Sequence, residues 1–421
     1  MKRTLFADQL KALRAAALDR HLREIDSPQG PEIEIAGRRL LNFSSNDYLG
    51  LANDSRLREA AIAAINEFGV GAGASRLISG TQSPHLRLER ALAEWKGTAT
   101  ALCFSSGYAA ALGSIPALVT KNDVVLLDKL CHASLIDAAR LSGAIVRIFP
   151  HNNLRKLESH LEWARREHFG KRVLIVTESV FSMDGDRAPL RELVQLKRRF
   201  NAFLMMDEAH AVGVIGPHGR GLVAEEKLSD AVDVQMGTLS KAFGASGGYI
   251  CGSHHLIEWL INRARSFIYS TAPPPAIAAA ALAAVNFLSS SEGETRRLLL
   301  WKRIRLMREL LLSLDVGRWT PARDLSELGV GRLDAGSKRS TSNAQRPTLN
   351  VPTSAIFPLL VGDEHAALDL AAALKDEGFL VPAIRYPTVA KGSARLRITV
   401  TAAHEEDHIQ SLCEAIKRNS P

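Results

Sequence analysis

The chain has 421 residues, 46% of them hydrophobic, which is enough for a large buried core and points to one large domain with a smaller one attached. Its net charge is +8, with basic residues spread along the chain at Arg165-Arg166, Lys197-Arg198-Arg199 and Arg303 to Arg308; this reads as solvated helix faces or as a positive field that attracts anions, and the lack of zinc-finger spacing or aromatic-flanked RNA motifs argues against nucleic acid. No 18-residue apolar run occurs, the opening Met1-Lys-Arg-Thr-Leu-Phe-Ala-Asp-Gln9 has neither a signal peptide's apolar core nor its cleavage site, and Cys103, Cys131, Cys251 and Cys413 form no CxxC pair, so the expectation is a cytoplasmic protein with reduced thiols and no membrane association.

Residues 4–25 carry Leu5, Leu10, Leu13, Ala17 and Leu22 at roughly helical spacing, which predicts an amphipathic helix. Ser27-Pro-Gln-Gly-Pro31 breaks the chain, and residues 33–43 read as a short hairpin around Gly37. A helix from Ser55 to Phe68 leads into Gly69-Val-Gly-Ala-Gly73. A helix rather than a strand precedes those glycines, so they read as a flexible turn and not as a dinucleotide fingerprint.

From about residue 84 the pattern is α/β, with helical segments between short apolar runs. The runs are Ala101–Phe104, Val124–Asp128, Ile145–Phe149, Val173–Thr177, Phe203–Asp207, Val232–Met236 and Tyr249–Cys251. Continuous apolar strands separated by helices imply a largely parallel sheet covered on both faces. Glu178, Asp207 and Thr238 end such runs and would line one crevice at the carboxyl edge, where open α/β sheets bind ligands. Beyond Ser270-Thr-Ala-Pro-Pro-Pro275 come an alanine-rich helix near 276–288 and a charged one near 294–313. The stretch 326–350 is polar and reads as an exposed loop, and the last 70 residues suggest a second, α+β domain. The expected division is 1–50 as N-terminal helix and hairpin, 51–290 as the large α/β domain, and 291–421 as the small α+β domain.

Two motifs are decoys. Asp207-Glu-Ala-His210 spells a helicase motif, but the P-loop that such an ATPase needs is missing. His404-Glu-Glu-Asp-His408 matches the zinc-protease string, yet its acidic residues after Thr401 suit the positive end of a starting helix. The expectation is a helix start and no metal.

The chemistry centres on Lys241, within Gly237-Thr-Leu-Ser-Lys-Ala-Phe-Gly244, some thirty residues after Asp207. An aspartate ending one apolar run and a lysine following the next suggest a pyridoxal phosphate (PLP) enzyme: the amine holds the cofactor covalently and the carboxylate keeps its pyridine nitrogen protonated. A nucleophilic amine must be partly neutral, which burial favours. Asp207 is either a capping residue or a buried carboxylate that needs a partner; its place after Phe-Leu-Met-Met favours the second. His210 can reach the cofactor's phenolic oxygen. Ser105-Ser-Gly-Tyr108 follows a strand and opens a helix, where backbone N–H groups make a phosphate site, with Thr238 and Ser240 adding hydroxyls. His132 is either a core histidine or a ring that stacks on an aromatic ligand.

These residues together resemble the α-oxoamine synthases, PLP enzymes of the aspartate aminotransferase fold (fold type I). The resemblance runs from about residue 35 to 415 and rests on Asn42-Phe-Ser-Ser-Asn-Asp-Tyr-Leu-Gly50, His132-Ala-Ser134, Thr177-Glu-Ser-Val-Phe-Ser-Met-Asp-Gly-Asp186, Asp207-Glu-Ala-His210, Thr238-Leu-Ser-Lys241 and Tyr269-Ser-Thr271. It implies a large, mostly parallel-sheet domain that binds PLP, with a smaller C-terminal α+β domain. Lys241, His132, Asp207 and His210 are then catalytic. Ser106, Gly107, Tyr108 and Thr238 hold the phosphate, Ser182 joins His210 at the phenolic oxygen, and His132 stacks on the ring. The site is shared across a homodimer, with Thr271 reaching the phosphate of the other subunit's cofactor. Asn46 and Arg397 bind the amino-acid carboxylate, as suits a bidentate guanidinium, and Arg20, His132 and Thr388 also contact substrate.

Gly73-Ala-Ser-Arg-Leu-Ile-Ser-Gly80, Ala383–Val389 and Ala394–His404 resemble the member of that family that joins L-alanine to a pimeloyl thioester, carried by coenzyme A or acyl carrier protein. The alternatives are glycine with acetyl-CoA or succinyl-CoA, and a non-catalytic partner subunit, against which the presence of Lys241, Asp207, His210 and His132 argues. Tyr386 stands where the family pattern has a second proline, which bears on the acyl site.

Overall fold

The computed structural model describes residues 4–314 and 354–419, so the polar stretch 326–350 lies outside the described residues. The chain starts with α1 (Thr4–Ala15), the hairpin β1 (Glu32–Ile35) and β2 (Arg38–Asn42), and α2 (Ser55–Phe68). Next come α3 (Ser83–Lys96), β3 (Thr100–Phe104), α4 (Gly107–Leu118), β4 (Val124–Asp128), α5 (Ala133–Leu141), β5 (Ile145–Phe149), α6 (Leu154–Glu167), β6 (Val173–Glu178), α7 (Leu190–Phe200) and β7 (Phe203–Asp207). The large layer continues with α8 (Leu222–Glu225), β8 (Val234–Thr238), β9 (Gly248–Gly252), α9 (His254–Arg263), α10 (Arg265–Ile268) and α11 (Pro275–Ser289). After α12 (Ser291–Ser313) come β10 (Ile356–Gly362), α13 (Glu364–Asp376), β11 (Phe379–Leu380), β12 (Ala383–Ile384), β13 (Ala394–Thr399) and α14 (Glu406–Arg418).

All seven apolar runs join one sheet in the order β3-β9-β8-β7-β6-β4-β5. Strands β4 to β8 run parallel, and β9 lies antiparallel to both β3 and β8. The inner runs are largely apolar because both faces are covered, whereas the edge strand β5 carries Arg147 and is only partly buried. Along β4, Val124 and Leu126 enter one core while Val125 and Leu127 enter another on the opposite face, as the two-residue strand period requires. β8 starts two residues later than the apolar run, because the Asp233 carboxylate is occupied in accepting the Leu204 N–H (2.7 Å) and pairing with Lys197 (2.8 Å). The four cysteines are free and buried. Among the described residues no single helix is long and apolar enough to cross a membrane.

Two small sheets complete the chain. The hairpin's two-residue turn needs positive φ at both positions, and Ala36 (φ 50°) and Gly37 (φ 72°) supply it. β2 then pairs in parallel with β11, so the N-terminal hairpin is built into a sheet with a strand from the far end of the chain. The other sheet is β10-β13-β12, all antiparallel.

The predicted helix over 4–25 is shorter than expected and ends at Ala15. Its apolar residues Phe6, Leu10 and Leu13 are exposed, so no packed face extends it. Ala17 turns to φ 53°, and the carbonyls of Ala17 and Asp19 accept from the Arg385 guanidinium instead of from a continuing helix. Leu22 is fully exposed.

A buried ion pair ties the large domain together next to the crevice. Lys96, the last residue of α3, donates to Glu208, whose other oxygen accepts the Val223 N–H at 3.0 Å. Both side chains are at most 1% exposed. Removing one partner leaves the other charge buried and alone. We therefore expect Glu208→Ala to lower the unfolding free energy by about 3–5 kcal/mol, while the double replacement Lys96→Met/Glu208→Met recovers most of it. Denaturant midpoints read both, and a single-variant loss under about 1 kcal/mol would contradict the pairing.

Candidate active site

The parallel strands end together. Glu178 closes β6, Asp207 closes β7 directly opposite it, and Thr238 closes β8. Above these ends lies a cavity of about 220 Å³. Its walls are Ser106, Gly107 and Tyr108 at the start of α4, His132 and Ser134 at the start of α5, the strand-end residues Glu178, Asp207 and Thr238, and Ala209, His210, Met236, Ser240 and Lys241. The sheet has thus collected eight predicted site residues, from four separate segments, on one edge. Gly244 (φ 63°) lets the Lys241 loop meet the N-terminal segment: a Cβ there would lie 2.4 Å from the backbone of Leu51.

Lys241 Nζ lies 2.8 Å from His210 Nε2, and His210 Nδ1 lies 2.5 Å from the Tyr48 hydroxyl. Tyr48 is fully buried, and its hydroxyl also donates to Asn46 Oδ1 at 3.4 Å. Burial, reinforced by the positive charge of Lys241, pushes the His210 pKa well below its ordinary value, so the ring is neutral. Burial also lowers the Lys241 amine to about 8, against the opposing pull of Asp207 and Glu178. The same burial raises Asp207, although Lys241 and the Ala209 N–H (2.9 Å) hold its carboxylate down in part. Glu178 is raised further, by burial and then by Asp207, and accepts the His132 backbone N–H.

The wall residues fit PLP. Asp207 is a buried carboxylate facing open space, which suits a protonated ring nitrogen. The first N–H groups of α4, at Gly107 and Tyr108, have no carbonyl available within their own helix, and Ser106 caps that end by accepting the Ala109 N–H at 3.0 Å. His132 is exposed to the cavity rather than packed in a core; its Nδ1 is held by Ser134 Oγ at 2.8 Å, which leaves a ring face available. The Thr238 hydroxyl donates to Gly247 O at 3.0 Å and meets Ser240 Oγ at 2.8 Å.

Other predicted residues stand outside that wall. Arg397 is buried; its Nε donates to Ser182 O (2.6 Å) and its Nη1 to Thr399 Oγ1 (2.9 Å), while its Nη2 is buried without a partner. A buried guanidinium nitrogen without a hydrogen-bond partner, beside the Tyr48 hydroxyl, suits a substrate carboxylate site. Ser182 therefore positions Arg397 through its backbone carbonyl. Arg20 and Thr388 come together in a second pocket of about 110 Å³, with Leu18, Ala383, Ile384, Arg385 and Tyr386, so the tyrosine that departs from the family pattern lines it. Thr271 is exposed and bridges to Ser75. The sequence reading assigned no role to Tyr48 or Ser134. Tyr48 lies inside a string that carried the resemblance, yet nothing local marks it, because its partner His210 is 162 positions away.

Of the decoys, the 404–408 string starts a helix: α14 begins at Glu406, and the His408 ring accepts the Glu405 N–H at 3.3 Å. The His404 ring stacks on Phe43 at 4.2 Å, and burial lowers its pKa to about 3. Among the described residues no group of three His, Cys, Asp or Glu is arranged to hold a metal.

The depressed pKa makes the amine testable without turnover. In cofactor-free protein, capture of added PLP at Lys241, fixed by borohydride and located by peptide mapping, should rise with pH through about 8, against 10.5 for an ordinary lysine. A midpoint near the ordinary value would contradict the burial argument. Because the folded state holds fewer protons than the unfolded one between those two pH values, stability should also rise with pH across that window.

Comparison with known proteins places this geometry in a family. The aminotransferase class I and II pattern matches residues 38–325 and 337–416. The 8-amino-7-oxononanoate synthase of Geobacter sulfurreducens is 43% identical over 413 residues, 98% of this chain and 97% of that one. That of Herminiimonas arsenicoxydans is 42% identical over 420 residues, 99% of each. Among solved structures, Sphingomonas wittichii serine palmitoyltransferase superposes with TM-score 0.86 at 29% identity, covering 99% of this chain and 96% of that chain. The Francisella tularensis 8-amino-7-oxononanoate synthase superposes with TM-score 0.70 at 28% identity, covering 90% and 97%. The chain belongs to the aminotransferase class I and II family of PLP-dependent enzymes and, within it, to the α-oxoamine synthases.

Proposed function

We propose that this chain catalyses the 8-amino-7-oxononanoate synthase reaction of biotin biosynthesis: L-alanine condenses with a pimeloyl thioester, the thiol leaves, and the alanine carboxylate departs as carbon dioxide. The observation that carries the reading is a buried amine, Lys241, beside Asp207 at the carboxyl edge of the sheet, in a chain whose relatives of that name match it over nearly its whole length. Coenzyme A or an acyl carrier protein carries the acyl group, and the positive net charge suits either. The protein acts in the cytoplasm.

When bound, PLP supplies a ring that takes up the electron pair left at the amino acid's Cα. Lys241 would hold the cofactor's aldehyde, Asp207 its ring nitrogen, His132 its face, Ser182 and His210 its phenolic oxygen, and Ser106, Gly107, Tyr108 and Thr238 its phosphate. Lys241 would also serve as the base for the substrate's Cα proton, and a pKa of about 8 keeps it competent near neutral pH. Neutral His210, fixed at its far nitrogen by Tyr48, keeps the amine oriented. Arg397 and Asn46 bind the carboxylate, and Arg20 and Thr388 face the acyl substrate from the second pocket. The site is shared in a homodimer: Thr271 is exposed, as are Ile78 and Tyr269 close to its bridge with Ser75 in sequence, and in a second copy it reaches the neighbouring cofactor's phosphate.

Incubating the PLP-loaded protein with L-alanine and pimeloyl-CoA should release carbon dioxide and give the aminoketone by mass spectrometry. Turnover only with glycine and acetyl- or succinyl-CoA would move the reading to a sister reaction, and none with any pair would overturn it. Lys241→Ala should lose more than about 10⁴-fold in turnover, since it removes both covalent anchor and base. Arg397→Ala should chiefly raise the half-saturating alanine concentration; unchanged alanine saturation would refute its role.

A further inference from the structure

A second titratable cluster lies beside the cavity, and the mechanism above leaves it unused. His151 follows β5, and both of its ring nitrogens are bound to carboxylates: Nδ1 to Asp128 at 3.1 Å and Nε2 to Asp186 at 2.7 Å. Its ring stands edge-on to the fully buried Phe181 at 4.3 Å. A ring that donates from both nitrogens is an imidazolium. Burial opposes that charge, but the two aspartates outweigh it and push the pKa up to about 10.

Each aspartate belongs to a different part of the site. Asp128 ends β4, is fully buried, and accepts the Leu130 N–H (2.8 Å) in the turn that leads to His132. Its second oxygen accepts the Asn152 N–H at 2.8 Å. Asp186 lies in the loop after β6 that carries Ser182, whose carbonyl holds Arg397, and Asp184, which pairs with Arg395 on the same strand as Arg397. The Asp186 backbone carbonyl accepts the Phe181 N–H at 3.0 Å, so the loop closes on itself at the residue that His151 grips.

We propose that His151 is a positioning residue: by bridging Asp128 to Asp186 it locks the turn bearing His132 to the loop that seats Arg397, so that the ring-facing and carboxylate-binding groups keep one relative placement. The part of this that concerns catalysis rests on the function proposed above. The mechanical part does not, and it is tested separately. Hydrogen exchange on the PLP-loaded protein should show faster exchange in peptides covering 129–135 and 181–188 for His151→Ala. The isosteric Asp186→Asn, on the far loop, should also loosen 129–135, because the disturbance passes through His151 and the adjoining Asn152, whose Nδ2 donates to Asp186 at 3.0 Å and whose backbone N–H donates to Asp128. A change confined to 181–188 in that variant would overturn the proposal.

In steady state, both variants should raise half-saturating alanine about tenfold, as displacements of an ångström or less at reacting groups do, with a smaller change for the pimeloyl thioester. The double variant should be no worse than the worse single one, since the His151–Asp186 contact is lost in both. Multiplying effects, or alanine saturation unchanged in cofactor-loaded His151→Ala, would overturn it. If the unaltered protein does not use alanine, the proposed function fails, while the exchange result still decides the bridge.

Discussion

The placement of one carboxylate against one amine governs this molecule. Asp207 and Lys241 lie in water-poor surroundings where each alone would be costly, and each partly restores the other's charge. Burial wins on both sides: the carboxyl is raised and the amine lowered. The result is an amine ready to act as nucleophile or base near neutral pH, and a carboxylate that gains from any cationic partner. A pyridinium nitrogen is such a partner, and its arrival would relieve the strain of an otherwise under-compensated site.

Holding that pair demands a rigid edge. Parallel strands covered on both faces give one, because their alternate side chains are locked into two separate cores while the strand ends converge on a single crevice. Asp207 and Glu178 are cross-strand neighbours and so cannot drift apart. Behind them the Lys96–Glu208 pair anchors the residue that follows Asp207 to the end of α3. The smaller sheets bring what the edge lacks. β13 delivers Arg397, and the segment after β2 delivers Asn46 and Tyr48; Phe43 O accepts the Thr399 N–H (2.8 Å), which joins the two deliveries directly.

What could be read from the sequence was what short-range physics decides. The apolar runs were identifiable because a strand covered on both faces tolerates little else, and α2 was placed from Ser55 to Phe68 as observed, its start fixed where Asp54 accepts the Arg56 N–H. Lys241, Asp207 and the Ser106–Tyr108 turn could be placed in one site because each follows directly from where a strand stops. Contacts made across the chain were not legible. The end of α1 is set by Arg385, far along the sequence, and the pairing of β2 with β11 has no local mark. Tyr48 and the bridging His151 each draw their roles from partners on other elements, and their own neighbours in the sequence do not reveal them.

The two histidines nearest the reaction and the one beside it show how placement sets charge. His210 has an amine on one side and a phenol on the other; neither offers a negative charge, so burial keeps the ring neutral. His132 is also lowered, since burial outweighs the attraction of Asp207 and Lys241 adds its repulsion. His151 has comparable shelter but two carboxylates, and it is held charged to about 10. The same residue type thus serves as neutral contact inside the cavity and as permanent cation outside it. The division is functional: a protonated ring touching Lys241 would compete with it for negative partners, whereas a charged ring between Asp128 and Asp186 holds two loops at a place where no proton has to move.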